Sequence, residues 1–288
     1  MDVGKGVKMI VYFDPGFDSM GIGRIVTQMQ KYLPEGNMVA GDPDSTELTV
    51  IHVIGRRDHV LNRAKRILSM GGQYAICQYV LESSRNPNPE DWREIWDGAK
   101  VVFSYYNLPT KNLYHAPLAA DPNIFYKEEQ QKKYVVGSNG YDFKNECIGE
   151  VQLATWNVGG RGVHVGLNFN SNPIVDYYTN IPDDKVREIY NSCEHWSALR
   201  RKDGFEMIAV EAMLCGIRPI MFDTPNYRQW FNDLVDFIPE RGVDETSGNI
   251  KHILKHGPRD LSTTEINAVK NIFSWEKTMK GFWERCLI

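Results

Sequence analysis

The chemistry in this chain is most concentrated in one run, Asp203-Gly204-Phe205-Glu206-Met207-Ile208-Ala209-Val210-Glu211-Ala212-Met213-Leu214-Cys215-Gly216-Ile217-Arg218-Pro219-Ile220. Gly204 is expected to open a helix whose free N-terminal N–H groups and dipole favour an anion. That helix carries Glu211, stops at Gly216 and is followed by Pro219. Ile217–Phe222 (I-R-P-I-M-F) then reads as a buried strand. A turn, a helix start and a strand in this order can cradle a phosphate, and the carboxylates remain available for a sugar hydroxyl.

The elements needed to position such a unit recur along the chain. Met9–Phe13 (M-I-V-Y-F) and Leu48–Ile54 (L-T-V-I-H-V-I) are short apolar, β-rich runs that predict buried strands. Ile22–Leu33 between them has helical periodicity, and a basic amphipathic helix is expected over Arg57–Met70. Tyr74–Leu81 and Val101–Tyr106 read as further strands, with Trp92–Trp96 helical between them. Leu118–Tyr126 and the charged stretch after it read as a linker. The pattern then restarts, with strands at Tyr134–Gly137 and Gly162–Leu167 and helices at Lys144–Trp156 and Asp183–Ser192. Gly159-Gly160-Arg161-Gly162 is a tight helix-to-strand turn, with Arg161 as an outside candidate for a ligand contact. Strand and helix alternating through two halves predicts parallel α/β architecture.

Composition narrows the class. The 288 residues leave room for two domains, and 42% apolar with 24% charged residues is ordinary for a soluble globular enzyme. A net charge of −4 gives no reason to expect nucleic acid as a partner. No run is long and apolar enough to span a bilayer, and the N-terminus lacks a signal-peptide core, so a cytoplasmic location is expected. The basic stretch Arg57–Met70 reads as a solvated helix face, with peripheral membrane contact as the alternative. Cys77, Cys147, Cys193, Cys215 and Cys286 have no metal-binding spacing and are expected as reduced, buried thiols.

The Asp203–Ile220 run resembles the signature E-G-F-G-x-x-x-x-E-A-M-A-x-G-x-P-V of retaining GT-B glycosyltransferases, above all glycosyltransferase family 4, with seven residues between Asp203 and Glu211. The likeness is firm over Val135–Asp223, weaker in the N-terminal half, and returns at Phe273-Ser274-Trp275-Glu276-Lys277. It implies a GT-B fold: two Rossmann-like α/β domains facing each other across a ligand cleft. Residues 1–125 would form the acceptor-side domain, rejoined by the C-terminal helix 276–288, and residues 126–275 the donor domain.

The resemblance also implies roles. The family's diphosphate site is an arginine in V-G-R and a lysine shortly after. Here the strand end reads Val136-Gly137-Ser138-Asn139-Gly140, so Ser138 replaces the arginine and Lys144 matches the lysine. Arg200, Arg201 or Lys202 would supply the missing charge. Glu211 inherits the ribose contact, and Asp203 the contact to a donor-sugar hydroxyl. Glu206, where the family has glycine, is a second candidate for that sugar contact. Backbone N–H groups of Phe205, Glu206 and Met207 would face the donor beside Gly204, and Asn180 would hold the base. On the acceptor side, Gly21 and Gly23 lie where the family has a Gly-rich loop. Asp18 is an acceptor-hydroxyl ligand or, on its own merits, an N-cap. Gln78 and Tyr79 stand where many members have histidine. His52, in V-I-H-V-I-G, reads as a core histidine, and His115 belongs to the approach to the linker.

The activity implied is transfer of a hexose from a nucleotide sugar of the GDP-mannose or UDP-glucose type to a glycan or other hydroxyl acceptor. It needs no metal, no bound cofactor and no protein nucleophile. The competing readings are a GT-B nucleotide-sugar epimerase or hydrolase, and a catalytically impaired nucleotide-sugar binder. Ser138, Asp203 and Gln78 are the departures that keep the last one open.

Overall fold

The computed structural model describes residues 9–14, 20–41, 46–53, 57–79, 92–168, 172–202 and 204–287. Asp18 and Asp203 lie outside them. The chain divides into two compact units, one running to Leu118 and taking back Trp275 onward, the other spanning Ala119–Ser274.

The first unit contains β1 (Ile10–Asp14), α1 (Met20–Lys31), β2 (Met38–Val39), β3 (Leu48–Val53), α2 (Arg57–Ser69), β4 (Gln73–Gln78), α3 (Arg93–Gly98), β5 (Val102–Ser104) and β6 (Leu113–His115). Its six strands pair in parallel in the order β2-β1-β3-β4-β5-β6. The central strand β3 is buried at every position, which explains its unbroken apolar run. The two-residue edge strand β2 is exposed, and its sequence carries no strand period to read.

The second unit contains β7 (Tyr134–Gly140), α4 (Ile148–Val158), β8 (Gly162–Gly166), β9 (Val175–Tyr178), α5 (Asp183–Asn191), β10 (Cys193–Ser197), α6 (Met207–Leu214), β11 (Pro219–Phe222), α7 (Pro225–Phe231), β12 (Asp236–Ile238), α8 (Val243–His256) and α9 (Thr263–Ile272). The sheet order β12-β11-β10-β7-β8-β9 is the doubly wound dinucleotide-fold arrangement, all parallel. The order reverses between β7 and β10, so the chain leaves these neighbouring strands in opposite directions and opens a crevice at their carboxyl ends. One core face joins Val136, Ile220 and Phe222 of the sheet to Val151 and Ala154 of α4 and Ile250 and Leu254 of α8.

Three local details shape that crevice. A Cβ on Gly137 would stand 2.1 Å from the Trp196 ring, so the indole lies across β7 as it does only with glycine there. The expected helix start at Lys144 is delayed to Ile148. Asp142 accepts the Asn145 N–H at 3.1 Å, and Cys147 adopts a left-handed φ of 52°, which holds the intervening residues in turns. At the far end of α6, the Ile217 N–H donates to the Ala212 carbonyl and the Gly216 N–H to that of Met213, both at 3.0 Å. This double closure requires the left-handed φ of 84° at Gly216.

The last helix, α10 (Trp275–Cys286), belongs to the first unit. Trp283 is fully buried, donates its indole N–H to the Met29 carbonyl at 3.0 Å, and meets Phe13 edge-on at 6.1 Å. Thr278 donates to the Pro117 carbonyl at 3.2 Å. Trp283→Ala removes a large core side chain and an indole bond, and is expected to lower stability by roughly 3–5 kcal/mol in denaturant unfolding. A loss under about 1 kcal/mol would show that α10 is dispensable to that core.

Candidate functional site

Parallel α/β sheets collect their functional groups at strand carboxyl ends, and the switch between β7 and β10 does so here. After β7 the chain turns through Tyr141–Cys147 before α4, and after β10 it runs through Ala198–Glu206 into α6. Arg200 joins the two segments. Its Nη2 donates to Glu146 Oε1 at 2.6 Å, and its Nε lies 3.0 Å from Glu206 Oε1. Glu206 also accepts the Tyr227 hydroxyl from α7 at 3.2 Å, while Glu146 Oε2 accepts the N–H groups of Tyr141 and Asp142 at 2.7 and 2.8 Å. Gly140, at φ 143°, leaves the space that Glu146 fills: a Cβ there would sit 1.8 Å from Oε2.

Both carboxylates are buried, whereas the Arg200 side chain is 40% exposed. Burial pushes the Glu206 carboxyl above its ordinary value. Arg200 opposes that shift, Glu146 adds to it, and the Tyr227 hydroxyl works against it. Glu206 is also the residue before α6, and its own side chain makes no capping hydrogen bond there. Gly204 is anchored through its carbonyl by Asn226 at 3.0 Å, and Phe205 is buried against Phe231 and Phe273. Met207 is the first helical residue and is partly exposed. The start of α6 thus lies beside a half-exposed guanidinium, an arrangement suited to an anion.

The three basic candidates separate. Arg201 turns away, pairing with Glu150 at 2.7 Å and Glu240 at 3.4 Å under the Phe222 ring. Lys202 is exposed, and Lys144 stands exposed on the turn after β7. Ser138 is buried, its Oγ 3.0 Å from His164 Nδ1, and His164 Nε2 lies 3.2 Å from the Gly140 carbonyl. The position of the family arginine is thus part of the sheet's own hydrogen bonding. Arg161 pairs with Asp176 on β9.

Glu211 sits inside α6, buried, and accepts the Tyr190 hydroxyl at 2.9 Å. Asn180 follows β9, exposed and in a left-handed conformation with φ 52°. In the first unit Gly21 and Gly23 fall within α1, with open space around Gly23. Gln78 is fully buried and accepts the Trp96 indole N–H at 3.0 Å. The Tyr79 hydroxyl meets His52 Nδ1 at 2.8 Å, and the Tyr79 carbonyl accepts the Tyr105 hydroxyl. Among the described residues no group of three or more His, Cys, Asp or Glu is placed to hold a metal ion.

Sequence reasoning passed over Glu146, Tyr190, Tyr227 and His164. The available signal for Glu146 was Gly140, since a glycine at a strand end invites a neighbouring side chain into its Cβ space. No comparable signal marks the two tyrosines.

No protein-family profile and no curated protein sequence matches the chain. Solved structures do. Sucrose-phosphate synthase from Thermosynechococcus elongatus superposes with a TM-score of 0.76 at 13% identity, over 96% of this chain and 98% of that one. Anabaena HepE in complex with UDP and glucose gives 0.77 at 9% identity, over 97% and 99%. The lipopolysaccharide outer core galactosyltransferase WaaB gives 0.63 at 11% identity, over 96% and 99%. These are GT-B glycosyltransferases, and the chain has that fold.

His164 yields a stability prediction. Burial pulls its pKa down to about 4 from an ordinary 6.5, so it is neutral in the fold and protonates more readily when unfolded. Its contribution is complete above about 6.5 and is lost as pH falls toward about 4. Melting temperature should fall through that window. His52 and His195 are lowered to about 4 by burial as well. His164→Gln should therefore flatten the slope by roughly a third rather than abolish it. An unchanged slope would show that His164 is already protonated in the fold.

Proposed function

We propose that the chain is a retaining, metal-independent hexosyltransferase that takes a nucleoside diphosphate sugar as donor and a glycan or other hydroxyl as acceptor. The observation that carries this reading is Arg200 beside the start of α6, at the switch point of a GT-B donor-type sheet. Negative charge builds on the leaving diphosphate in the transition state, so fixed N–H groups and a guanidinium aimed there lower the barrier most. Arg200 supplies the cation that Ser138 does not, with Lys144 as a second charge on the turn opposite.

In this reading Glu211 accepts the ribose hydroxyls and Asp203 holds a donor-sugar hydroxyl. The anomeric carbon–oxygen bond to the diphosphate breaks as the acceptor oxygen bonds on the same face, and the acceptor proton passes to the departing phosphate oxygen. UDP is the first nucleotide to try, because HepE binds it on the same fold, with GDP-mannose beside UDP-glucose as donors. A cytoplasmic location belongs to the same reading. Burial of Ser138 against His164 keeps a nucleotide-sugar binder without turnover as the second reading.

The test is incubation with UDP-glucose and GDP-mannose, with and without acceptor glycans, following nucleoside diphosphate release and the anomeric configuration of the product by NMR. Acceptor-dependent release with retained configuration supports transfer. Release without acceptor indicates a hydrolase, and binding without release a binder. Arg200→Ala should weaken UDP by about tenfold or more, as expected for a lost charge-assisted bond of about 1.5–3 kcal/mol, and leave uridine unchanged. Equal losses for UDP and uridine would place Arg200 away from the diphosphate.

A further inference from the structure

Glu146 and Glu206 close on a single guanidinium, and the three groups differ in how well they are served. Glu146 receives two backbone N–H groups and the Arg200 Nη2. Glu206 accepts a hydrogen bond from the Tyr227 hydroxyl on Oε1, which also lies 3.0 Å from Arg200 Nε as an ion pair without hydrogen-bond geometry. The facing groups are thus Arg200 from the loop after β10, Tyr227 from α7 and Glu146 from the turn after β7. Exposed Asp142, whose carboxyl is held low chiefly by hydrogen bonds from Asn145 and less by Lys202, lies on that same turn. With both acids ionised, two negative charges meet one positive charge in a site where only the arginine reaches solvent.

That balance opposes what the site is proposed to bind. A diphosphate at Arg200 would add negative charge to a cluster that already has an excess, at low dielectric. One proton relieves the excess, and the less well-bonded acid is the one to accept it.

We propose, resting on the nucleotide-sugar reading above, that Glu206 takes up a proton from solvent as an anionic diphosphate settles against Arg200. Glu146, held by three donors, is the positioning residue that keeps the guanidinium aimed. Donor binding is therefore proton-linked: the free cluster carries its excess charge, and the loaded cluster has Glu206 as a neutral acid still hydrogen-bonded to Tyr227. A glutamate at a position where the resembled family has glycine is accounted for by this role. Its carboxyl lies inward, and its protonation sets how much of the Arg200 charge a ligand can use.

The experiment is calorimetric titration of UDP, inorganic pyrophosphate and uridine into the whole chain, in buffers of different ionisation enthalpy and across pH from the ordinary carboxylate range upward. Wild type should take up about one proton per UDP over part of that range, with affinity falling about tenfold per pH unit there. Uridine should show neither effect. Glu206→Gln imitates the protonated acid. It should bind UDP at least as tightly as wild type at the upper end of the range, with the uptake gone. The difference between the two proteins separates the protein's proton from titration of the β-phosphate itself. Glu146→Gln removes the second carboxylate and should also lose the uptake; if it fails to fold, Glu206→Gln decides alone. UDP binding without proton uptake, or uptake retained in Glu206→Gln, overturns the inference and leaves the nucleotide reading standing. No binding of UDP or pyrophosphate at any pH overturns both.

Discussion

The candidate site depends on the close parallel pairing of β7 with β10, and the packing of the Trp196 ring across that pair depends on an absent atom. Gly137 faces the Trp196 ring, and a Cβ there would stand 2.1 Å from a ring carbon, so any side chain would have to displace the indole. Because the two strands stay together, the turn leaving one and the loop leaving the other emerge side by side, close enough for one arginine to reach carboxylates on both. The helix start, the half-exposed cation and the buried acids meet where β10 ends opposite Ser138 and β7 runs on to Gly140.

The same economy appears one layer up. Gly140 lacks a Cβ so that Glu146 can occupy its space, and Gly166 lacks one because the Gly140 backbone is already there, 2.0 Å from where it would be. Backbone strain is avoided at these positions by residue choice, and at Gly140 the room released is filled by a charged group instead of an apolar one. A buried carboxylate is costly unless it is fully bonded, so the three donors on Glu146 are what make the arrangement stable.

Much of the architecture was legible in the sequence because buried parallel strands advertise themselves. Leu48–Val53 and Gln73–Gln78 are nearly uniform in burial, and their apolar runs could hardly be anything else. Strands with weaker signatures escaped: β9, reading V-D-Y-Y, is an edge strand with three half-buried residues, and β6 and β12 have three residues each. The helix expected from Lys144 starts later because Asp142 bonds its own turn, a local competition that periodicity does not register. In the site, the sequence offered Arg200, Arg201 and Lys202 as equals. Only the fold separates them, since which neighbour faces Glu146 and which faces Glu150 depends on the twist of the loop. Glu146 itself resembles any acidic residue at a helix start until Gly140 is seen beside it.

One feature of the first unit bears on how the chain is made. The indole of Trp283 is bonded to the carbonyl of Met29, residues separated by 254 positions, and its ring fills the core against Phe13. A chain emerging from the ribosome in order would present all of β1 through β6 long before the helix that completes them. The second unit, made of one continuous stretch, has every strand it needs before that helix appears. The later half can therefore mature first, while the earlier half waits with an unfilled hollow, and protecting that hollow during synthesis becomes a task for the cell rather than for the fold.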